Sequence, residues 1–112
     1  MTAQTLAEKI LAAHAGLTTV VPGQIVVANV DVAIAQDGTG PLAIQQIVEL
    51  DVAAVRAPTC VFFIDHAAPA PRRELANAQQ GIRAFCASSG ATLSDVDEGV
   101  CHQLVAERYA KV

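Results

Sequence analysis

The chain has no tryptophan, one tyrosine, three phenylalanines and one methionine among 112 residues. Aromatic stacking surfaces of the kind that hold single-stranded nucleic acid are therefore scarce. It also lacks a basic run: seven Lys plus Arg stand against eleven Asp plus Glu, a net charge of −4, so electrostatic binding to a phosphate backbone has little support. Uncharged stretches are broken by Gly, Pro, Asn or Gln, and none forms the unbroken apolar run of about 20 residues that a membrane-spanning helix needs. Glu8 and Lys9 sit inside an amphipathic pattern at the start, without the basic and then apolar order of a secretory leader. Three cysteines, Cys60, Cys86 and Cys101, are an odd number at wide spacing among apolar neighbours. That reads as reduced thiols in a cytoplasmic protein, with no CxxC metal motif.

What is abundant is apolar residue: 53% of the chain is hydrophobic, only 16% is charged, and mean hydropathy is +0.40. This excludes a disordered segment and fits one compact, core-forming domain over residues 1–112. So small a domain buries only about 60–70% of its surface, so part of this apolar content is expected to meet another domain or chain.

Local signals divide the chain. Thr5 and Glu8 stand in the relation of a capping box, Leu6, Ile10 and Ala13 follow at helical spacing, and Gly16 supplies a stop, which predicts a helix over 5–15. After Pro22-Gly23, the β-branched run from Gln24 to Ile34 predicts a strand with a break near Asn29. Polar Gln36 to Pro41 leads into a helix over 41–50 with Ile44, Ile47 and Val48 on one face. Cys60 to Ile64 is apolar at every position, as in a strand buried between two helix layers. Leu75, Ala78, Ile82 and Phe85 predict the longest helix, 72–88, followed by a short strand over 91–94, a turn over 97–99 and a helical segment over 103–110. Alternating strands and helices imply an α/β fold, a partly parallel sheet with helices on both faces.

Candidate chemistry concentrates at Asp65-His66, directly after the most apolar strand, because ligands of open α/β sheets bind at the carboxyl ends of strands. A neighbouring carboxylate orients an imidazole and favours its protonated form, making a general acid usable near neutral pH. The plainer use of such a pair is a turn capped by Asp. His102, in Gly99-Val100-Cys101-His102-Gln103, is expected to be partly buried, and either catalytic or satisfied by a backbone carbonyl. His14 reads as structural. Asp37 to Pro41 makes either a substrate-facing loop or an ordinary start of a helix. Adjacent residues point apart on strands and helices, which argues against a Cys101–His102 nucleophile and base. No catalytic triad, Walker A loop, GxGxxG or HExxH pattern is present.

Several segments, taken in order, resemble one family. They are Thr5 to Gly16, Val21-Pro22-Gly23, Val30-Asp31, Asp37-Gly38-Thr39-Gly40-Pro41-Leu42-Ala43-Ile44, Asp65-His66-Ala67-Ala68-Pro69, and Gly99-Val100-Cys101-His102-Gln103. Together they resemble the large subunit of the aconitase superfamily, especially the 3-isopropylmalate dehydratase and homoaconitase branch. The resemblance implies a hydro-lyase that isomerises a hydroxy di- or tricarboxylic acid by losing and re-adding water, with a 4Fe-4S cluster acting as Lewis acid. By the same resemblance Asp65, His66 and His102 are catalytic, helping to deliver a proton to the leaving hydroxyl, and Asp37 and Thr39 belong to a substrate-side loop. Pro41 stands where true aconitases carry Gln, which points to 3-isopropylmalate or homoaconitate; citrate, methylcitrate and dimethylmalate are the neighbouring alternatives. The family's cluster cysteines lie in motifs that Cys60, Cys86 and Cys101 do not match, so no cluster ligand is expected in this chain. The resemblance is to the N-terminal quarter of a large subunit, whose partners are the rest of that subunit and a small swivelling subunit or domain. An isolated chain is then expected to be inactive. From a different class, a stand-alone α/β module binding an organic acid or a partner near His66 remains the alternative.

Overall fold

The computed structural model describes residues 3–110, and the chain divides into two compact units, Met1–Asp31 and Val32–Val112. In the first unit, helix α1 spans Leu6–Ala15 and begins as its local sequence dictates. Thr5 Oγ1 accepts the Glu8 N–H at 3.3 Å, and the Glu8 carboxylate accepts the Thr5 N–H at 2.7 Å, so two otherwise orphaned donors are satisfied reciprocally. Gly16 ends the helix at φ 68°, a left-handed conformation that costs glycine little, and its N–H returns to the Ala12 and Ala13 carbonyls.

The strand expected from residue 24 begins only at Val32. Residues 24–30 have no ladder partner among the described residues, and Ile25 and Val27 are almost fully exposed. β-Branched residues favour a strand by packing on a pleated, half-buried surface, and here that surface is missing.

The second unit is built on three parallel strands, β1 (Val32–Gln36), β2 (Thr59–Phe63) and β3 (Thr92–Ser94), in spatial order β1-β2-β3. Val32 pairs with Thr59 and Gln36 with Phe63, while Phe63 also faces Ser94, so all three strands end at nearly the same level. Helices α2 (Gly40–Glu49) and α3 (Arg73–Ser89) make the two crossovers. Two crossovers stepping the same way across a parallel sheet place both helices on one face.

β2 is apolar at every position because both its faces are covered. Phe62 and Ile64 pack with Ile82 and Cys86 on the α3 side, whereas Val61 and Phe63 pack with Cys101 and Leu104 of helix α4 (Cys101–Leu104). Burying each such side chain contributes about 1.5–3 kcal/mol. At Gly40 an added Cβ would stand 3.3 Å from Phe62 and 3.4 Å from Ile82, so glycine is what lets α2 lie this close to the sheet. Ile44 and Ile47 are half-buried as the spacing predicts, but Val48 is exposed, turned off the buried stripe. The last helical segment starts at Cys101, earlier than expected, and continues as a π-helical turn over Val105–Tyr109. None of the described helices is long and apolar enough to cross a membrane.

Candidate active site

The carboxyl ends of β1 and β2 lie side by side; Asp37 follows β1 at once and Asp65 follows β2 after Ile64, and both carboxylates turn inward. Asp37 directly follows β1 and is buried. Its Oδ1 accepts the backbone N–H groups of His66 at 3.0 Å and Asp65 at 3.4 Å, and its Oδ2 accepts that of Ala67 at 2.8 Å. Gln79 of α3 adds a side-chain N–H to Oδ2 at 3.4 Å and donates to the Ala67 carbonyl at 2.8 Å. These four donors match the acceptor capacity of one ionised carboxylate. Burial pushes the Asp37 carboxyl up, but the N–H groups of Ala67, His66 and Asp65 outweigh it and hold the group below the usual carboxylate range.

This fixed loop presents Asp65-His66. The Asp65 side chain is 3% exposed; its Oδ1 accepts His66 Nδ1–H at 2.7 Å and its Oδ2 accepts the Cys101 N–H at 2.6 Å. Burial raises the Asp65 carboxyl, and the Cys101 N–H, the His66 ring and the Cys101 side chain together bring it below its ordinary value. The His66 imidazole is raised by its hydrogen bond to Asp65, against a smaller lowering by desolvation. With Nδ1 committed to Asp65, Nε2 is the free nitrogen, and the ring is 44% exposed.

The loop after β3 brings the third element. Arg83 of α3 grips Asp95 with Nε at 2.7 Å and Nη2 at 2.8 Å, and Glu98 accepts from Ser94 at 3.1 Å and Arg108 at 3.2 Å. α4 follows with Cys101 buried and His102 exposed. The His66 and His102 rings meet edge to face, centroids 5.9 Å apart. His102 is therefore not the partly buried histidine its apolar neighbours predict: Cys101 and Leu104 take the inward positions of that short helix.

Of the residues read from the sequence, Asp37, Asp65, His66 and His102 converge. Thr39 lies in the same turn as Asp37 but is exposed, its N–H on the Gln36 carbonyl at 3.0 Å. Sequence reading missed Gln79 and the inward part of Cys101. A polar Gln79 inside the apolar stripe of Leu75, Ala78, Ile82 and Phe85 was the available signal.

The chain is 48% identical over 107 residues to the 3-isopropylmalate dehydratase large subunit of Elusimicrobium minutum, covering 95% of this chain and 25% of the relative. Large subunit 1 of Thermotoga maritima is 48% identical over 108 residues and large subunit 2 of Archaeoglobus fulgidus 46% over 108, each covering 96% of this chain and 26% of the relative. Over nearly its whole length this chain is homologous to a quarter of the 3-isopropylmalate dehydratase large subunit. It spans about a quarter of the length of the curated relatives it matches. No family model matches it.

A 4Fe-4S cluster is held by converging cysteine thiolates. In this dehydratase large-subunit relative the thiols diverge: Cys101 packs with Val61 and Phe63 on one face of the sheet, and Cys60 and Cys86 pack with Phe62, Ile64 and Ile82 on the other. Burial pushes all three thiols up, Cys86 to about 11, and at Cys101 the Asp65 carboxylate adds to the rise. The cysteines present do not fit such a cluster.

Proposed function

We propose that this chain forms the proton-handling wall of a hydro-lyase that dehydrates and rehydrates 3-isopropylmalate, within a longer large subunit that works with a small subunit. The observation that carries the reading is the Asp65–His66 pair at the strand ends, with Nδ1 held at 2.7 Å and Nε2 free. Loss of a hydroxyl group needs a proton, and a raised imidazole beside a buried carboxylate holds one to a higher pH than a free imidazole does. His66 is the donor at Nε2, Asp65 fixes its tautomer, and His102 borders the same space from α4.

Asp37 is a positioning residue in this reading. Its acceptor sites are taken by the backbone of residues 65–67 and by Gln79, so the exposed Thr39 hydroxyl, held only by long 3.4 Å contacts to the Gln36 backbone, is the side chain of that turn that turns to the substrate. The relatives' name favours 3-isopropylmalate over homoaconitate. Cluster thiolates must come from outside these 112 residues, so the chain by itself turns nothing over.

The test is a substrate panel on the complete, cluster-loaded two-subunit enzyme. Turnover of 3-isopropylmalate, abolished or severely reduced by His66→Ala, is expected. Turnover of homoaconitate or citrate in its place would overturn the substrate assignment, and full activity in His66→Ala would overturn the role of the pair.

A further inference from the structure

His66, Cys101 and His102 each offer one ligand atom, and these atoms lie within 4.8 Å of one another. Ligand atoms around a tetrahedral ion bound at about 2.0–2.3 Å are separated by roughly 3.3–3.8 Å, so small side-chain rotations would close this triangle on one ion. The donor set is one thiol and two imidazoles, which suits Zn²⁺ or Co²⁺ and not Mg²⁺ or Ca²⁺.

Three further features point to a cation. First, the arrangement around His66 is the outer shell of a metal site: a ligating imidazole characteristically donates its other N–H to a carboxylate, as His66 Nδ1 does to Asp65 at 2.7 Å. Second, Asp65 also receives the Cys101 N–H at 2.6 Å, so one buried carboxylate holds the backbone of one ligand and the ring of another. Third, Asp37 and Asp65 place two carboxylates inside the protein, and among the described residues neither pairs with Lys or Arg; Arg83 is taken by Asp95 and Arg108 by Glu98. The competing group Asp37, Asp65 and His66 is less suited, because its carboxylates are already engaged by backbone N–H groups.

We propose that His66 Nε2, Cys101 Sγ and His102 form a mononuclear site for a zinc-class divalent ion, with the fourth position open to water or a small carboxylate. On binding, the Cys101 S–H bond breaks, as does the His66 Nε2–H bond where the ring is an imidazolium, and these protons pass to the buffer, while bonds from S and the two ring nitrogens replace water on the ion; no electron is transferred. The ion occupies the nitrogen that otherwise carries the proton, so metal binding and proton delivery exclude one another. The site rests on this chain's own side chains and not on the dehydratase reading.

The experiment is a titration of the 112-residue chain with Co²⁺, followed by absorption, with circular dichroism to verify folding. Expected is one ion per chain with a thiolate-to-cobalt charge-transfer band, displaced by Zn²⁺. Cys101→Ser abolishes the band, Cys60→Ser leaves it intact, and His102→Ala, which alters an exposed residue, removes tight binding. Asp65→Asn weakens binding by roughly 10–100-fold, the usual cost of losing an outer-shell partner. No thiolate band, a band that survives Cys101→Ser in the folded protein, or unchanged affinity in His102→Ala would each overturn the site. None of these results bears on the substrate panel, so the two readings fail separately.

Discussion

Among the described residues two histidine–aspartate pairs meet at 2.7 Å, and they are built differently. In the first unit, His14 Nε2 meets Asp31 and Nδ1 meets the Ile10 carbonyl at 2.9 Å, so both nitrogens face acceptors and the imidazolium is the form that satisfies them. Its carboxylate is 68% exposed. In the second unit, the partner carboxylate is 3% exposed and only Nδ1 is engaged. The lesson is that an Asp–His contact is suited to proton transfer when the carboxylate is locked and one ring nitrogen is left over. Where both nitrogens are consumed, the pair is a clamp on the backbone.

Substitutions sharpen that contrast. The largest effect is expected from His66→Ala in the complete enzyme, a loss of turnover of roughly 10²–10⁴-fold, the range of general acid catalysis. His14→Ala should leave turnover unchanged; equal losses in steady-state assays of the two would erase the distinction.

Next comes Asp37→Asn. Replacing a buried, charged acceptor of three backbone N–H groups is expected to cost about 2–3 kcal/mol, measured by urea denaturation. The pH dependence has a fixed sign. The Asp37 carboxyl is held below the ordinary value of 3.8, so its contribution is complete above that value and is lost as pH falls through the folded value. The Asn variant should lack that part of the acid limb.

The smallest effect belongs to His14. Its imidazole is raised, first by the Ile10 carbonyl and then by Asp31, so the stability it adds is complete below 6.5 and disappears as pH rises through the folded value. Melting temperatures of wild type and Asp31→Asn should therefore converge on the alkaline side. Parallel curves across the whole pH range would show that the clamp does not titrate.

Features governed by neighbours in sequence were legible: the Thr5–Glu8 box, the Gly16 stop, the doubly covered strand from Cys60 to Ile64 and the Asp65-His66 pair at its end. What escaped depends on contacts distant in sequence. Asp37 reads as part of a substrate-facing loop or of a helix start, yet it organises a loop 28–30 residues away. Residues 24–30 carry strand composition without a strand to pair with. Cys101 and His102 divide inward and outward because only the backbone of α4 decides which neighbour faces Val61 and Phe63.

The most direct test is a long-range ¹H–¹⁵N spectrum of the two histidines, recorded above the pH at which His66 loses its second proton. The account predicts His66 in the tautomer with Nδ1 protonated and Nε2 bare, while His14 keeps both nitrogens protonated to a pH above the ordinary imidazole value. A His66 ring protonated at Nε2, with Nδ1 bare toward Asp65, would contradict it.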